Sequence, residues 1–445
     1  MGLDFSDKVF DIVITNALLL QLNDEFCLSS GNYVLIDGGD IVAIGKMTDF
    51  PSDIKTARLI DASSFLVMPG LINTHNHAAM TLFRGLADDL PLMAWLQEHI
   101  FPAEAKFVSP EMVYWCSKLA AAEMILSGTT TVADGYFFED SAARAFLDSG
   151  LRAVAAQGII DFPAPGVPDP TQNIKAAELF LSEWQGVSNC VRPGVFCHSP
   201  YTCGPDTIKN AKELARRQKA PFFIHVAETI FERDQSLNEH HVTPVKYLYD
   251  LGIMDSNTVF IHCVWLTDDD MFLIKEKQTK IVTCPESNMK LASGIAPLVP
   301  LLDGEIVVGL GTDGTASNNN LDMFCEMDSC AKLHKVVSKD PTVIPAQTIL
   351  EMATINGARL LGLDRITGTI EVGKRADILL VNLDKPHLVP FYGPGTLVYA
   401  ATGADVHTVI IDGKLIMEDR EILSFDMKET IFHVRELSKS ILNHS

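Results

Sequence analysis

Eight short apolar runs with helical stretches between them constrain this chain more than any other feature. They lie at 65–72, 130–133, 151–160, 191–197, 221–226, 257–263, 280–284 and 305–310. The clearest intervening helix starts at Ser109, a good N-cap, with Pro110 in the first helical position. It carries Met112, Cys116, Leu119 and Leu126 and stops at Gly128. Eight strand–helix units predict an α/β fold of the (β/α)₈ TIM-barrel type. Doubly wound sheets rarely need eight such strands, and no turn here carries a Gly-x-Gly-x-x-Gly fingerprint.

The two ends have a different texture. Short β-rich runs at 11–16 and 33–44, and again at 376–381, 406–414 and 415–422, are broken by Asp and Gly turn residues. Both ends are expected to meet in one small β-sandwich. That divides the chain into residues 1–64 (first part of the sandwich), 65–370 (barrel) and 371–445 (second part and a C-terminal helix). The 445 residues carry a net charge of −22, which argues against nucleic-acid or anionic-membrane partners. Asp4 and Asp7 precede any apolar run, unlike a secretory signal, and Gly or Pro breaks every stretch of membrane length. Nine cysteines without a Cys-x-x-Cys pair indicate neither a disulfide scaffold nor a thiolate zinc site. A soluble, cytoplasmic protein is expected.

In a barrel, residues just past the strands converge on the C-terminal face, where active sites are built. Strand one ends in Asn73-Thr74-His75-Asn76-His77, strand four in Cys197-His198, strand five in His225-Val226-Ala227-Glu228, strand six in His262, and strand eight in Gly311-Thr312-Asp313. Five of the 13 histidines therefore sit at strand ends. A strand aims His75 and His77 to one side, as two ligands of one metal require. With His225 and Asp313 they supply three nitrogens and one oxygen, leaving a position for water. Glu228 lies within reach of that water and is placed to move a proton. His262 reads as a fourth ligand, a core histidine, or a partner that orients the water; with Asp313 filling the ligand set, the orienting role is favoured.

The segments Pro69-Gly-Leu-Ile-Asn-Thr-His-Asn-His, 84–96, His198-Ser-Pro-Tyr, His225-Val-Ala-Glu, 285–297 and Gly311-Thr-Asp-Gly resemble the amidohydrolase superfamily. The likeness spans nearly the whole chain and is strongest to the branch of 5-methylthioadenosine/S-adenosylhomocysteine deaminases and related triazine hydrolases. The resemblance implies one divalent metal per chain, usually zinc, held by His75, His77, His225 and Asp313. It implies catalytic roles for Glu228, His262 and Asp313. Glu104 would hold ribose hydroxyls, with Trp95 and His198 near the nucleoside; Trp95 reads equally well as helix-packing core. Where binuclear relatives carry a bridging lysine this chain has Cys-His-Ser, so one metal is expected. Where relatives using S-adenosylhomocysteine can place arginine, it has Gln157, counted here with the substrate-binding residues.

The expected activity is hydrolytic deamination of an adenine nucleoside, foremost 5′-methylthioadenosine, then adenosine, with S-adenosylhomocysteine weaker. The alternative is a hydrolase of chloro- or amino-triazines or another amino-heterocycle. A non-catalytic barrel fits poorly with a complete ligand set. A homo-oligomer, dimer or larger, is the common assembly among barrels of this type.

Overall fold

The computed structural model describes residues 8–442 except Asp24 and Ser52; Asp4 and Asp7 lie outside the described residues. The N-terminal part contributes β1 (Val9–Leu20), β2 (Leu28–Asp37), β3 (Asp40–Lys46), β4 (Lys55–Asp61) and β5 (Phe65–Pro69). Then come β6 (Leu71–Asn76), β7 (Thr129–Tyr136), β8 (Arg152–Ile159), β9 (Val191–Cys197), β10 (Phe222–Val226), β11 (Thr258–His262), β12 (Lys280–Thr283) and β13 (Val308–Leu310). The chain closes with β14 (Ile378–Asn382), β15 (Val406–Ile411), β16 (Lys414–Glu418), β17 (Glu421–Ile422) and the helix Met427–Leu442.

Strands β6 to β13 form one parallel eight-stranded sheet in sequence order among the described residues. The seam between its first and last strands is closed by side chain and backbone: Thr74 Oγ1 donates to the Leu310 carbonyl (2.7 Å), and the Asp313 amide donates to the His75 carbonyl (3.0 Å). Ile72, Val154, Phe196, Phe223, Ile261 and Val282 fill the barrel, and Leu360 and Leu361 of the helix Ile355–Leu361 join that cluster. The expected helix runs Pro110–Leu126, capped by the Ser109 hydroxyl.

The sandwich expected from the two ends takes the form of one continuous mixed sheet, nine-stranded among the described residues, around its own apolar cluster. The apolar run expected at 65–72 divides at Gly70. Its first half, β5, pairs with β1 and β14 in the end sheet, and only Leu71 onward enters the barrel. The two sheets are bolted together beneath the barrel. Arg152, at the first residue of β8, donates through Nε and Nη2 to both oxygens of buried Asp377 (2.8 and 3.0 Å). All nine cysteines are free thiols. No helix among the described residues is long and apolar enough to cross a membrane.

Candidate active site

The C-terminal ends of the strands gather the histidines around one point. His75 and His77 each place Nε2 3.4 Å from Asp313 Oδ1, and His225 Nε2 lies 3.3 Å from His75 Nε2. The ligand atoms of His75, His77 and Asp313 fall within 4.8 Å of one another, as do those of His75, His225 and His262. His75 is thus common to both groups, and His262 stands as close to the cluster as the sequence left open. The β6–β7 register shifts between Asn73 and Asn76, a local irregularity of the kind that re-aims side chains at strand ends. Gly311 lets β13 approach: a Cβ there would lie 2.8 Å from the His75 amide nitrogen.

The protonation states suit a metal, which needs neutral imidazoles and an ionised carboxylate. Burial pulls His75 down to about 4, against the pull of Asp313. Burial and the adjacent imidazoles hold His225 well below its ordinary value. For Asp313, burial pushes upward, but the His75 hydrogen bond and the surrounding imidazoles outweigh it and hold the carboxyl well below the usual range. Gly135 fixes the tautomer of His77: its carbonyl takes the Nδ1 proton at 2.6 Å, leaving the Nε2 lone pair available on the Asp313 side. Ser287 and Ser317 hydroxyls donate to Asp313 Oδ2 (2.7 and 2.9 Å) and lock its rotamer.

Glu228 and His262 face the same cavity, with His262 Nε2 3.8 Å from Glu228 Oε2. His262 Nδ1 is 3.0 Å from Asn288 Oδ1, an acceptor that puts the Nδ1 proton there and turns the Nε2 lone pair inward. Burial, and then Asp313, pushes Glu228 up to about 8. The backbone around these groups is strained. Ala227 (φ 52°), His262 (72°), Cys263 (50°) and Asp313 (60°) all occupy the left-handed region that non-glycine residues avoid.

One wall of the cavity comes from the segment 92–107. Pro102 lacks an amide proton and cannot continue a regular ladder, and a π-helical turn, Trp95–Ile100, sits directly upstream. That turn presents Trp95, Leu96 and Ile100 to the cavity, followed by Phe101 and Glu104. The buried Glu104 accepts a hydrogen bond from Tyr136 Oη at 2.6 Å. Burial pushes its carboxyl up to about 7 despite that bond. His198 also lines the cavity, edge-on to Phe101 and anchored through Nδ1 at 2.9 Å from Thr202 Oγ1.

Gln157 is the exception among the residues singled out from sequence. Its Oε1 accepts from the Glu139 amide (3.3 Å), its Nε2 donates to the Gly158 carbonyl (3.2 Å), and it is not part of the cavity wall. Val154 and Ala156 point into the barrel, Gln157 alternates with them on the face of Ala155, and its bonds to Glu139 and Gly158 occupy its amide. Among the described residues no Lys or Arg lines the cavity. Arg84 is engaged by Glu123 and the Asn319 carbonyl, and Lys290 by Asp88. Sequence reasoning gives no role to Tyr136, Asn288 or Ser287. Asn288 and Ser287 lie inside the 285–297 motif, whereas Tyr136 stands three residues past the apolar run that marks its strand.

The pattern characteristic of the amidohydrolase family matches residues 66–416. The 5-methylthioadenosine/S-adenosylhomocysteine deaminase of Syntrophobacter fumaroxidans is 45% identical over 432 residues, covering 97% of this chain and 98% of that protein. The 5′-deoxyadenosine deaminase of Methanosarcina acetivorans is 42% identical over 436 residues, with coverage of 97% and 98%. The crystal structure of an adenosine deaminase from Xanthomonas campestris with bound zinc superposes with a TM-score of 0.95 at 35% identity, covering 98% of this chain and 99% of that one.

Proposed function

The chain belongs to the amidohydrolase family, and from that premise we propose that it is a metal-dependent deaminase of adenine nucleosides with small, uncharged 5′ groups. Methylthioadenosine, 5′-deoxyadenosine and adenosine fit this description; S-adenosylhomocysteine is the weaker substrate. The observation that carries the reading is Glu104, a buried carboxyl on the wall of the cavity that also holds the histidine cluster. Two ribose hydroxyls find an acceptor pair there, whereas a triazine or free base has no use for it. The apolar side chains of Leu92, Trp95, Leu96, Ile100 and Phe101 and the absence of a cation among the described lining residues favour a neutral 5′ tail over a carboxylate.

His75, His77, His225 and Asp313 would hold one divalent metal, zinc, as their neutral and ionised states suit. When bound, such an ion supplies Lewis acidity that brings the pKa of water toward neutrality. Glu228 passes a proton to N1 of the adenine, which makes C6 electrophilic. His262, its Nε2 turned inward by Asn288, aligns the attacking water. The first proton of the water replaces the one Glu228 gave to N1. After addition, Glu228 and Asp313 relay the proton of the added hydroxyl to the exocyclic nitrogen; the C6–N bond breaks, ammonia leaves, and the inosine analogue with its C6 carbonyl remains.

An ultraviolet assay against methylthioadenosine, 5′-deoxyadenosine, adenosine, S-adenosylhomocysteine, guanine and a chlorotriazine tests the reading. Turnover of the nucleosides supports it; turnover of guanine or the triazine alone overturns it. Elemental analysis is expected to give one zinc per chain, and activity without metal, or two ions per chain, contradicts the assignment. The reading includes a cytoplasmic location and a homo-oligomer, the latter checked by sedimentation.

A further inference from the structure

Glu232 sits in the first turn of the helix Ile230–His240 and is almost fully buried. At this position a glutamate ordinarily completes a capping box by reaching back to the amide of the N-cap residue, here Thr229. The Thr229 half of the box is present, its hydroxyl accepting from the Glu232 amide at 3.2 Å. The Glu232 half reaches further. Oε1 accepts from the Ala227 amide and Oε2 from the Glu228 amide, both at 2.8 Å. The carboxylate therefore grips the two peptide groups on either side of Ala227, the residue held at φ 52° between the strand of His225 and the side chain of Glu228. The Ala227 carbonyl is held in turn by the amides of Val264 (3.0 Å) and Trp265 (2.9 Å), just beyond His262. One buried carboxylate thus fixes a strained turn and couples the loop of Glu228 to the loop of His262.

We infer that Glu232 is the positioning residue of the acid–base machinery: it sets the direction in which Glu228 leaves the backbone and its registration against His262. The inference rests on Glu228 being the proton shuttle. A helix cap alone needs neither bond, since a standard box would spend the carboxylate on Thr229. A displacement of about 1 Å in a catalytic group can lower a rate about a hundredfold while leaving substrate binding in place.

The experiment is a kinetic cycle on the metal-loaded protein with methylthioadenosine or whichever nucleoside is turned over. E232Q is isosteric, but one end of its amide presents N–H to a backbone N–H, so only one of the two bonds can form. Its kcat is expected to fall about a hundredfold with KM and metal content nearly unchanged. E232D, which keeps two acceptors on a shorter arm, recovers part of that fall. T229A removes the cap and lowers the melting temperature without a matching fall in kcat. E228Q sets the floor, and E228Q/E232Q is expected to be no slower than E228Q alone, because Glu232 acts through Glu228. E232Q with wild-type kcat and only a lower melting temperature makes Glu232 a cap and overturns the inference. So does a double variant slower than E228Q by the full E232Q factor. Wild-type turnover by E228Q removes the shuttle reading and this inference with it, whereas a dead E228Q beside an active E232Q removes the inference alone.

Discussion

The two mouths of the barrel handle buried charge in opposite ways. At the N-terminal mouth two buried cations have carboxylate partners. Arg152 forks onto Asp377, and Lys212, on the helix Pro205–Gln218, meets Asp255 and Thr258 at 2.7 Å each, where β11 begins. At the C-terminal mouth compensation is withheld. Burial pulls His198 down to about 3 and His75 to about 4, and pushes Glu104 up to about 7, with no Lys or Arg among the described lining residues. Ala227, His262 and Asp313 at the same mouth hold left-handed backbone next to these groups. One end of the fold pairs its buried cations with carboxylates; the other leaves its buried acids and imidazoles without a Lys or Arg in the cavity wall among the described residues. Separation of stability from chemistry along the axis is what a barrel permits.

That contrast breaks if changes at one mouth act like changes at the other. The largest effect is expected from E228Q: turnover falls about 10²–10⁴-fold with metal content and melting temperature retained. A failure to fold instead would mean the upper mouth carries stability too. R152M should do the reverse. It strands Asp377 as a buried, unpaired charge and costs about 3–5 kcal/mol in a denaturant titration, while kcat per folded molecule is unchanged. Glu104→Ala is expected to lower kcat/KM for adenine nucleosides about tenfold to hundredfold for each ribose hydroxyl left without its acceptor, with the fold unaffected. An unchanged value would point back to a heterocycle without ribose.

The smallest effect concerns pH and sharpens the comparison at one residue. Free Glu104 is protonated below about 7, and hydroxyl donors favour its ionised form. Nucleoside binding then releases a proton, so KM should be higher at pH 6 than at pH 8. A KM profile that keeps this slope in E104Q would assign it to another group.

The lower and upper mouths are not equally legible in the sequence. Parallel strands buried on both faces read as unbroken apolar runs, so eight runs mark eight barrel strands. Chemistry at strand ends is local: His75 and His77, His225 and Glu228, and Asp313 each stand within a few residues of a run. Parity inside such a run is not legible, because both faces are apolar; Gln157 is singled out through the family resemblance, and the structure places it on Glu139 and Gly158, outside the cavity wall. The division at Gly70 is hidden because the apolar run continues through it, from β5 into Leu71 and Ile72 of β6, although the two strands join different sheets. The Arg152–Asp377 fork joins residues 225 apart, and no local pattern announces it. Glu232 looks like an ordinary first-turn glutamate until its reach past Thr229 is seen.

The seam at Thr74 and Leu310 has a consequence for how the molecule assembles. These residues are 236 positions apart, and the proposed donor set straddles them, with His75 on the first barrel strand, His77 just past it and Asp313 past the last. No nascent fragment that lacks β13 can own a complete site. Closure of the ring joins the most distant strands of the barrel, and pairings of such long range form late and slowly. On the proposed ligand set, metal capture would belong to the end of the folding reaction, and an ion taken up there would work as a clasp. Its main kinetic effect is to slow the opening of the ring, with little influence on how fast the ring first forms.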